Sequence, residues 1–220
     1  MIMKQKISPT QKALNLWAVI LIIWSIYRAN VRMPDWFDEF IAKPLVFILP
    51  VYYYIKNVDK KDFFSSLLIK PKQITTDLIL GLGVGGIFFV TAILANFIKF
   101  HRVFTLSQGI TAQNVLLVVL MALATGISEE ILSRGFILKK LYDESKNIYT
   151  SSFFASILFF FLHVPILFTN VKISGNMLIL FMATDLILSL VNSFIYLDRK
   201  SLVLPILIHA MYNISLTFFI

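Results

Sequence analysis

The chain has no cysteine among its 220 residues, which excludes disulfides, thiolate nucleophiles and cysteine-ligated metals. Charge is scarce too. Only 15% of residues are Asp, Glu, Lys or Arg, against 58% hydrophobic, and mean hydropathy is +0.82. A soluble domain carries about 25% charged residues, so this composition reads as a membrane protein. No internal repeat or low-complexity tract is present, and one membrane-embedded, all-α unit is expected.

What is abundant is apolar sequence. A helix needs about 20 mostly apolar residues to cross the hydrocarbon core, and roughly seven stretches qualify: about 13–28, 37–55, 77–98, 113–134, 150–169, 176–196 and 201–220. The second is the weakest, because Asp38, Glu39 and Lys43 crowd its start and Pro44 and Pro50 interrupt it. The first resembles a signal-peptide core, but Tyr27-Arg28-Ala29-Asn30 offers no small-x-small cleavage site, so an uncleaved span is expected. The fourth continues without a breaker past Arg134 toward Tyr142 and reads as one long helix. Gly81-Leu82-Gly83-Val84-Gly85-Gly86 matches a dinucleotide fingerprint formally but lacks the preceding strand. Gly81 and Gly85 instead have the small-xxx-small spacing that lets membrane helices approach closely.

The net charge of +8 does not imply a nucleic-acid partner. With the N-terminus in the cytoplasm and the spans alternating, Lys56, Lys60, Lys61, Lys70, Lys72, Lys139, Lys140, Lys146, Arg199 and Lys200 collect inside. Arg28, Arg32, Lys43, Lys99, Arg102 and Lys172 fall outside. This positive-inside bias predicts a multi-pass protein of the cell membrane with a cytoplasmic N-terminus and an extracellular C-terminus.

Against this background the segment Gly126-Ile127-Ser128-Glu129-Glu130-Ile131-Leu132-Ser133-Arg134 stands out. An ionised side chain in such a segment costs on the order of 2.5–3.5 kcal/mol on insertion scales, so two adjacent carboxylates suggest a site. Glu130 and Arg134 are four apart and share a helix face, whereas Glu129 points about 100° away, with Ser133 as its neighbour. Glu129 is therefore assigned as general base and Glu130 as its structural companion. Phe159 and His163 repeat the four-residue spacing, as do His209 and Asn213. At about 1.5 Å rise per residue, Glu129, His163 and His209 can converge in the cytoplasmic half of the bilayer. Each motif alone also fits a packing role: the histidines and Asn213 as helix–helix hydrogen-bonding residues, Glu130 with Arg134 as a membrane-edge ion pair. Asp185 and Asn192 form a further polar stripe and are expected to support rather than react.

Together, the order EExxxR, FxxxH, HxxxN over about residues 114–220 resembles the CPBP family: intramembrane proteases and bacteriocin-processing proteins, also called Abi, related to the type II CAAX prenyl endopeptidases. Ser133 stands where an aromatic is more usual. Residues 1–113 carry no family signature and read as variable N-terminal spans. The resemblance implies hydrolysis of a membrane-embedded or lipidated peptide, with Glu129 and His163 activating a water and His209 and Asn213 stabilising the oxyanion. It also implies a link to bacteriocin processing or self-immunity. No cofactor is favoured, and zinc held by the histidines and a glutamate is the second mechanism, although HExxH is absent. GxSxG and GxGD are absent as well, so rhomboid-type serine and presenilin-type aspartyl chemistry fit worse. The rival readings are a non-catalytic immunity or scaffold protein and a small-molecule transporter.

Overall fold

In a computed structural model, residues 7–101, 110–169 and 176–219 are described. They hold helices and no strand, as the apolar pattern predicts. Helix α1 is Pro9–Asn30, opened by Pro9 and by Ser8, whose hydroxyl accepts the Gln11 N–H. Helix α2 covers residues 35–57 and α3 is the short Phe63–Ser66. Helix α4 is Ile74–Phe100, α5 is Val115–Ser145, α6 is Ile148–Thr169, α7 is Asn176–Arg199 and α8 is Val203–Phe219.

Among the described residues, five helices are long and apolar enough to cross a membrane: α1, α4 (to Ile98), α5, α6 (to Pro165) and the Ile179–Arg199 part of α7. Of the remaining two predicted stretches, α8 is apolar but 17 residues long, and α2 is the charged, proline-interrupted one. The protein is an all-helical membrane bundle. Aliphatic side chains such as Ile79, Ile98 and Leu116 project from it, as lipid-facing residues do.

Helix α2 is continuous despite Pro44 and Pro50, because the ladder widens to π-helical turns over Asp38–Ala42 and Pro44–Ile48. A proline has no N–H for an internal helix bond, and a π turn is one way to absorb the fault. Its charges are satisfied inside the protein. Asp38 accepts from Arg28 and Tyr27 of α1, and Lys43 pairs with Glu39 and with Glu129 of α5. Lys43, which counting along the chain placed among the outer-side charges, is thus buried inside the protein.

Helix α5 runs unbroken past Arg134, as expected, with a π-helical stretch over Ile131–Leu138 immediately after the two carboxylates. The α4 glycines serve close packing: a Cβ at Gly81 would fall 2.7 Å from Leu207 Cβ and one at Gly85 2.6 Å from Met211 Cβ. Helix α8 is thereby pressed against α4, and against α5 where Gly126 meets the Ile206 carbonyl. The turn leading into α8 is pinned to α4 by Arg199 and Ser201, both on Asp77. Helix α1 packs across α2 and α6, with Trp24 edge-on to Phe47 at 5.1 Å between ring centroids.

Candidate active site

The two carboxylates of α5 lie in one buried polar cluster but have different partners. Glu130 and Arg134 are both 0% exposed and pair at 3.0 Å, one helical turn apart. The same Glu130 oxygen, Oε1, accepts from Asn192 Nδ2 at 3.0 Å and lies 2.9 Å from His209 Nδ1. A carboxylate oxygen only accepts, so His209 presents Nδ1–H to it. Asn192 also donates to the Pro205 carbonyl, tying α7 to α8. The Arg134 guanidinium donates to the Ser189 carbonyl and hydroxyl and stacks over Phe159, 4.4 Å from the ring centroid.

Glu129 is held from another direction. Its Oε1 accepts from Lys43 Nζ at 2.8 Å. Its Oε2 is buried, makes no hydrogen bond, and lies 3.5 Å from His163 Nε2 and 3.7 Å from His209 Nε2. Ser133, its expected neighbour, makes no side-chain hydrogen bond; Glu129 is anchored at one oxygen and open at the other. The far side of the His163 ring, Nδ1, is 3.5 Å from Asp185 Oδ2 and 3.3 Å from the Phe159 carbonyl. Phe159 lies against both imidazoles, 4.8 Å from His163 and 5.8 Å from His209 between centroids.

The structure therefore brings together Glu129, Glu130, Arg134, Phe159, His163 and His209, with Asp185 and Asn192 behind them. Asn213 is not hydrogen-bonded into this cluster. It lines a cavity of about 290 Å³ together with Asp35, Glu39, Val118, Thr125 and Leu216. A second cavity, about 70 Å³, is lined by Glu39, Lys43, Phe47, Glu129, Leu162 and His163. Glu39 borders both, and Glu130 lines neither.

Residues 111–215 match the family model described as type II CAAX prenyl endopeptidase Rce1-like. This segment is similar to that family. No curated protein matches the chain, and no solved structure does. That similarity supports a CAAX-type intramembrane peptide hydrolase in general terms. The matched segment contains Glu129, Glu130, Arg134, Phe159, His163, Asp185, Asn192, His209 and Asn213. Lys43 and Glu39 lie outside it, and reading along the chain missed both. The signal was there: Glu39 and Lys43 are four apart in an otherwise apolar stretch, the pairing already used to interpret Glu130 and Arg134.

Zinc fits this arrangement poorly. Among the described residues no group of three or more His, Asp or Glu side chains is arranged to hold a metal ion. The Lys43 ammonium already supplies positive charge 2.8 Å from Glu129, and a dication beside it would be repelled.

Proposed function

We propose that this protein is a multi-pass endopeptidase of the cell membrane that cleaves a membrane-embedded or lipidated peptide with a glutamate-activated water and no metal. One observation carries the proposal: Glu129 Oε2 is buried, makes no hydrogen bond, faces the Nε2 atoms of two histidines at 3.5 and 3.7 Å, and belongs to a residue that borders a cavity. Glu130 Oε2 also lacks a hydrogen bond, but Glu130 borders neither cavity.

A water between Oε2 and the imidazoles gives its proton to Glu129 as its oxygen attacks the scissile carbonyl carbon. The carbonyl electrons move onto oxygen, and the tetrahedral oxyanion needs preorganised donors. Asn213 offers a neutral amide from the larger cavity. His209 offers Nε2–H only when doubly protonated, because its Nδ1–H is given to Glu130. On collapse, the proton held by Glu129 passes to the departing amine nitrogen, which restores the carboxylate. His163 orients the water, and Asp185 and the Phe159 carbonyl hold that ring from behind.

The helix directions support alternating spans, and the Lys/Arg bias along the chain supports a cytoplasmic N-terminus and an outer C-terminus. Thr125 meets Glu39 and Glu129 meets Lys43, so α2 and α5 run parallel where they touch, as the second and fourth of alternating spans must. The CPBP resemblance supports bacteriocin processing or self-immunity as the physiological setting.

The test compares membrane peptide pools from cells carrying the intact chain and Glu129→Gln. Peptides changed between them are then used in single-turnover cleavage by metal-stripped protein. Glu129→Gln is expected to fold and bind but to cleave roughly 100- to 10,000-fold more slowly, the usual contribution of a positioned acid–base group. Identical pools would overturn the protease reading in favour of a transporter or scaffold, and cleavage that disappears with the metal would restore zinc.

A further inference from the structure

We propose that Lys43, carried by a helix outside the segment that matches the Rce1-like family, is a positioning residue of the catalytic centre: its ammonium clamps one oxygen of Glu129 so that the other faces the histidines. The inference rests on the assignment of Glu129 as base.

The clamp is built from two helical turns laid side by side. On α2, Glu39 and Lys43 are four residues apart, with Lys43 Nζ 2.8 Å from Glu39. On α5, Thr125 and Glu129 are also four apart. Thr125 Oγ1 donates to Glu39 Oε2 at 2.5 Å, and Lys43 Nζ donates to Glu129 Oε1 at 2.8 Å. Each member of one turn thus bonds its counterpart on the other. The Lys43 ammonium is fixed from both sides, by Glu39 on its own helix and by Glu129 across the gap. Lys43 also sits between the two π-helical segments of α2. Such segments recur at functional sites, where they re-aim side chains.

Charge gives the clamp a purpose. The cluster holds four carboxylates, Glu39, Glu129, Glu130 and Asp185, and two permanent cations, Arg134 and Lys43. Arg134 is committed to Glu130. Without Lys43, the side chains left to neutralise Glu129 are His163 and His209, and Glu129 Oε2 would then be drawn into a direct ion pair with the nearer, His163 Nε2, 3.5 Å away. That contact closes the space where the water is activated. Lys43 satisfies the charge of Glu129 at the opposite oxygen and leaves Oε2 open. A plain structural staple between α2 and α5 would not require this choice of oxygen.

The absence of native cysteine allows a clean test. In full-length protein reconstituted in phospholipid vesicles, Lys43→Cys creates a single thiol. Alkylation with 2-bromoethylamine rebuilds an ammonium at nearly lysine length, whereas iodoacetamide leaves a neutral amide. The probe is the peptide whose abundance separates the intact chain from Glu129→Gln. We expect Lys43→Cys to lose roughly 100-fold in kcat, as for a misplaced reacting group, with KM nearly unchanged. Aminoethylation should restore cleavage and carboxamidomethylation should not. Lys43→Met, of similar volume and without a charge, should behave as unmodified Lys43→Cys. Lys139→Met, which breaks an exposed pair, should keep full activity.

Equal rates for the ammonium and amide derivatives would overturn the proposal, as would normal kcat in Lys43→Met. If both Lys43 variants unfold, Lys43 is a structural staple and the proposal falls. Normal cleavage by Glu129→Gln would remove the base assignment and this inference with it. A dead Glu129→Gln beside an active Lys43→Met overturns the inference alone.

Discussion

Glu129 and Glu130 are neighbours in the chain and opposites in their surroundings. Glu130 gathers Arg134, Asn192 and His209 on one oxygen, and all of these partners lie in α5, α7 and α8. That half of the cluster is a closed junction between three helices, with Arg134 sealed under Phe159. Glu129 borders a cavity and depends on α2 for its counter-charge; both residues keep one oxygen free of hydrogen bonds, but only that of Glu129 faces two imidazole Nε2 atoms. A junction that fixes helices needs its charges paired and dry. A base needs an oxygen with nothing yet on it. Two consecutive residues meet both requirements because the helix turns by about 100° between them.

The comparison breaks most visibly in the Glu130 half. Glu130→Gln leaves the Arg134 guanidinium buried without its carboxylate, and breaking a buried pair in this way costs about 3–5 kcal/mol. The first symptom should be a lowered Tm and poor expression, with activity falling only as the folded fraction falls. Glu130→Gln combined with Arg134→Gln removes the orphaned charge and should recover part of that loss. Thermal unfolding and single-turnover cleavage on the same samples separate the cases. If Glu130→Gln is stable but inactive while Glu129→Gln is active but unstable, the two roles are exchanged.

A smaller effect is expected where α8 is pressed onto α5. A Cβ at Gly126 would lie 2.9 Å from the Ile206 carbonyl oxygen, and backbone cannot swing aside as a side-chain tip can. Gly126→Ala should cost about 1–3 kcal/mol by overpacking and, by pushing α8 outward, lengthen the contact of His209 with Glu130. Gly86→Ala is the matched control, since a Cβ there meets nothing within 4 Å and alanine is the better helix former by about 1 kcal/mol. A drop in Tm for the first variant and none for the second would tie the Glu130 junction to glycine-mediated packing. Equal Tm values would detach it.

What was legible beforehand follows from the range of each interaction. EExxxR, FxxxH and HxxxN are local, and four-residue spacing alone puts Glu130 beside Arg134 and Phe159 beside His163. The π-helical widening after Glu130 did not disturb these pairings. The long α5 and the close approach at Gly81 and Gly85 were legible for the same reason. Lys43 with Glu129 was not, because 86 residues separate them, and because charges at the start of a weak span argue against the span unless their partners are known. Asp185 offered no spacing clue either, since it meets His163 across two helices. The polar stripe to which it belongs was visible, and its inward direction follows from the cost of facing lipid.

The smallest effect comes from a carboxylate that lacks every constraint acting on the other two. Asp62 stands in water before α3, and its Oδ2 accepts the Ser65 N–H at 2.9 Å as a helix N-cap. The Ser65 backbone N–H, helped by its hydroxyl, holds the Asp62 carboxyl below the usual aspartate range. A carboxyl lowered on folding contributes stability above its unfolded value, about 3.9, and loses it as pH falls through the lower folded value. Asp62→Ala should therefore lower Tm at pH 7, by roughly 1–3 °C for a chain of this size, and the difference from the intact chain should shrink below about pH 4 as the carboxyl is protonated. Asp62→Asn keeps an acceptor at the cap and should lie close to the intact chain at pH 7 without the pH-dependent convergence. A Tm gap for Asp62→Ala that stays constant down through pH 3 would show that the ionised cap contributes nothing, and that the paired carboxylates of the buried cluster have no counterpart at the surface.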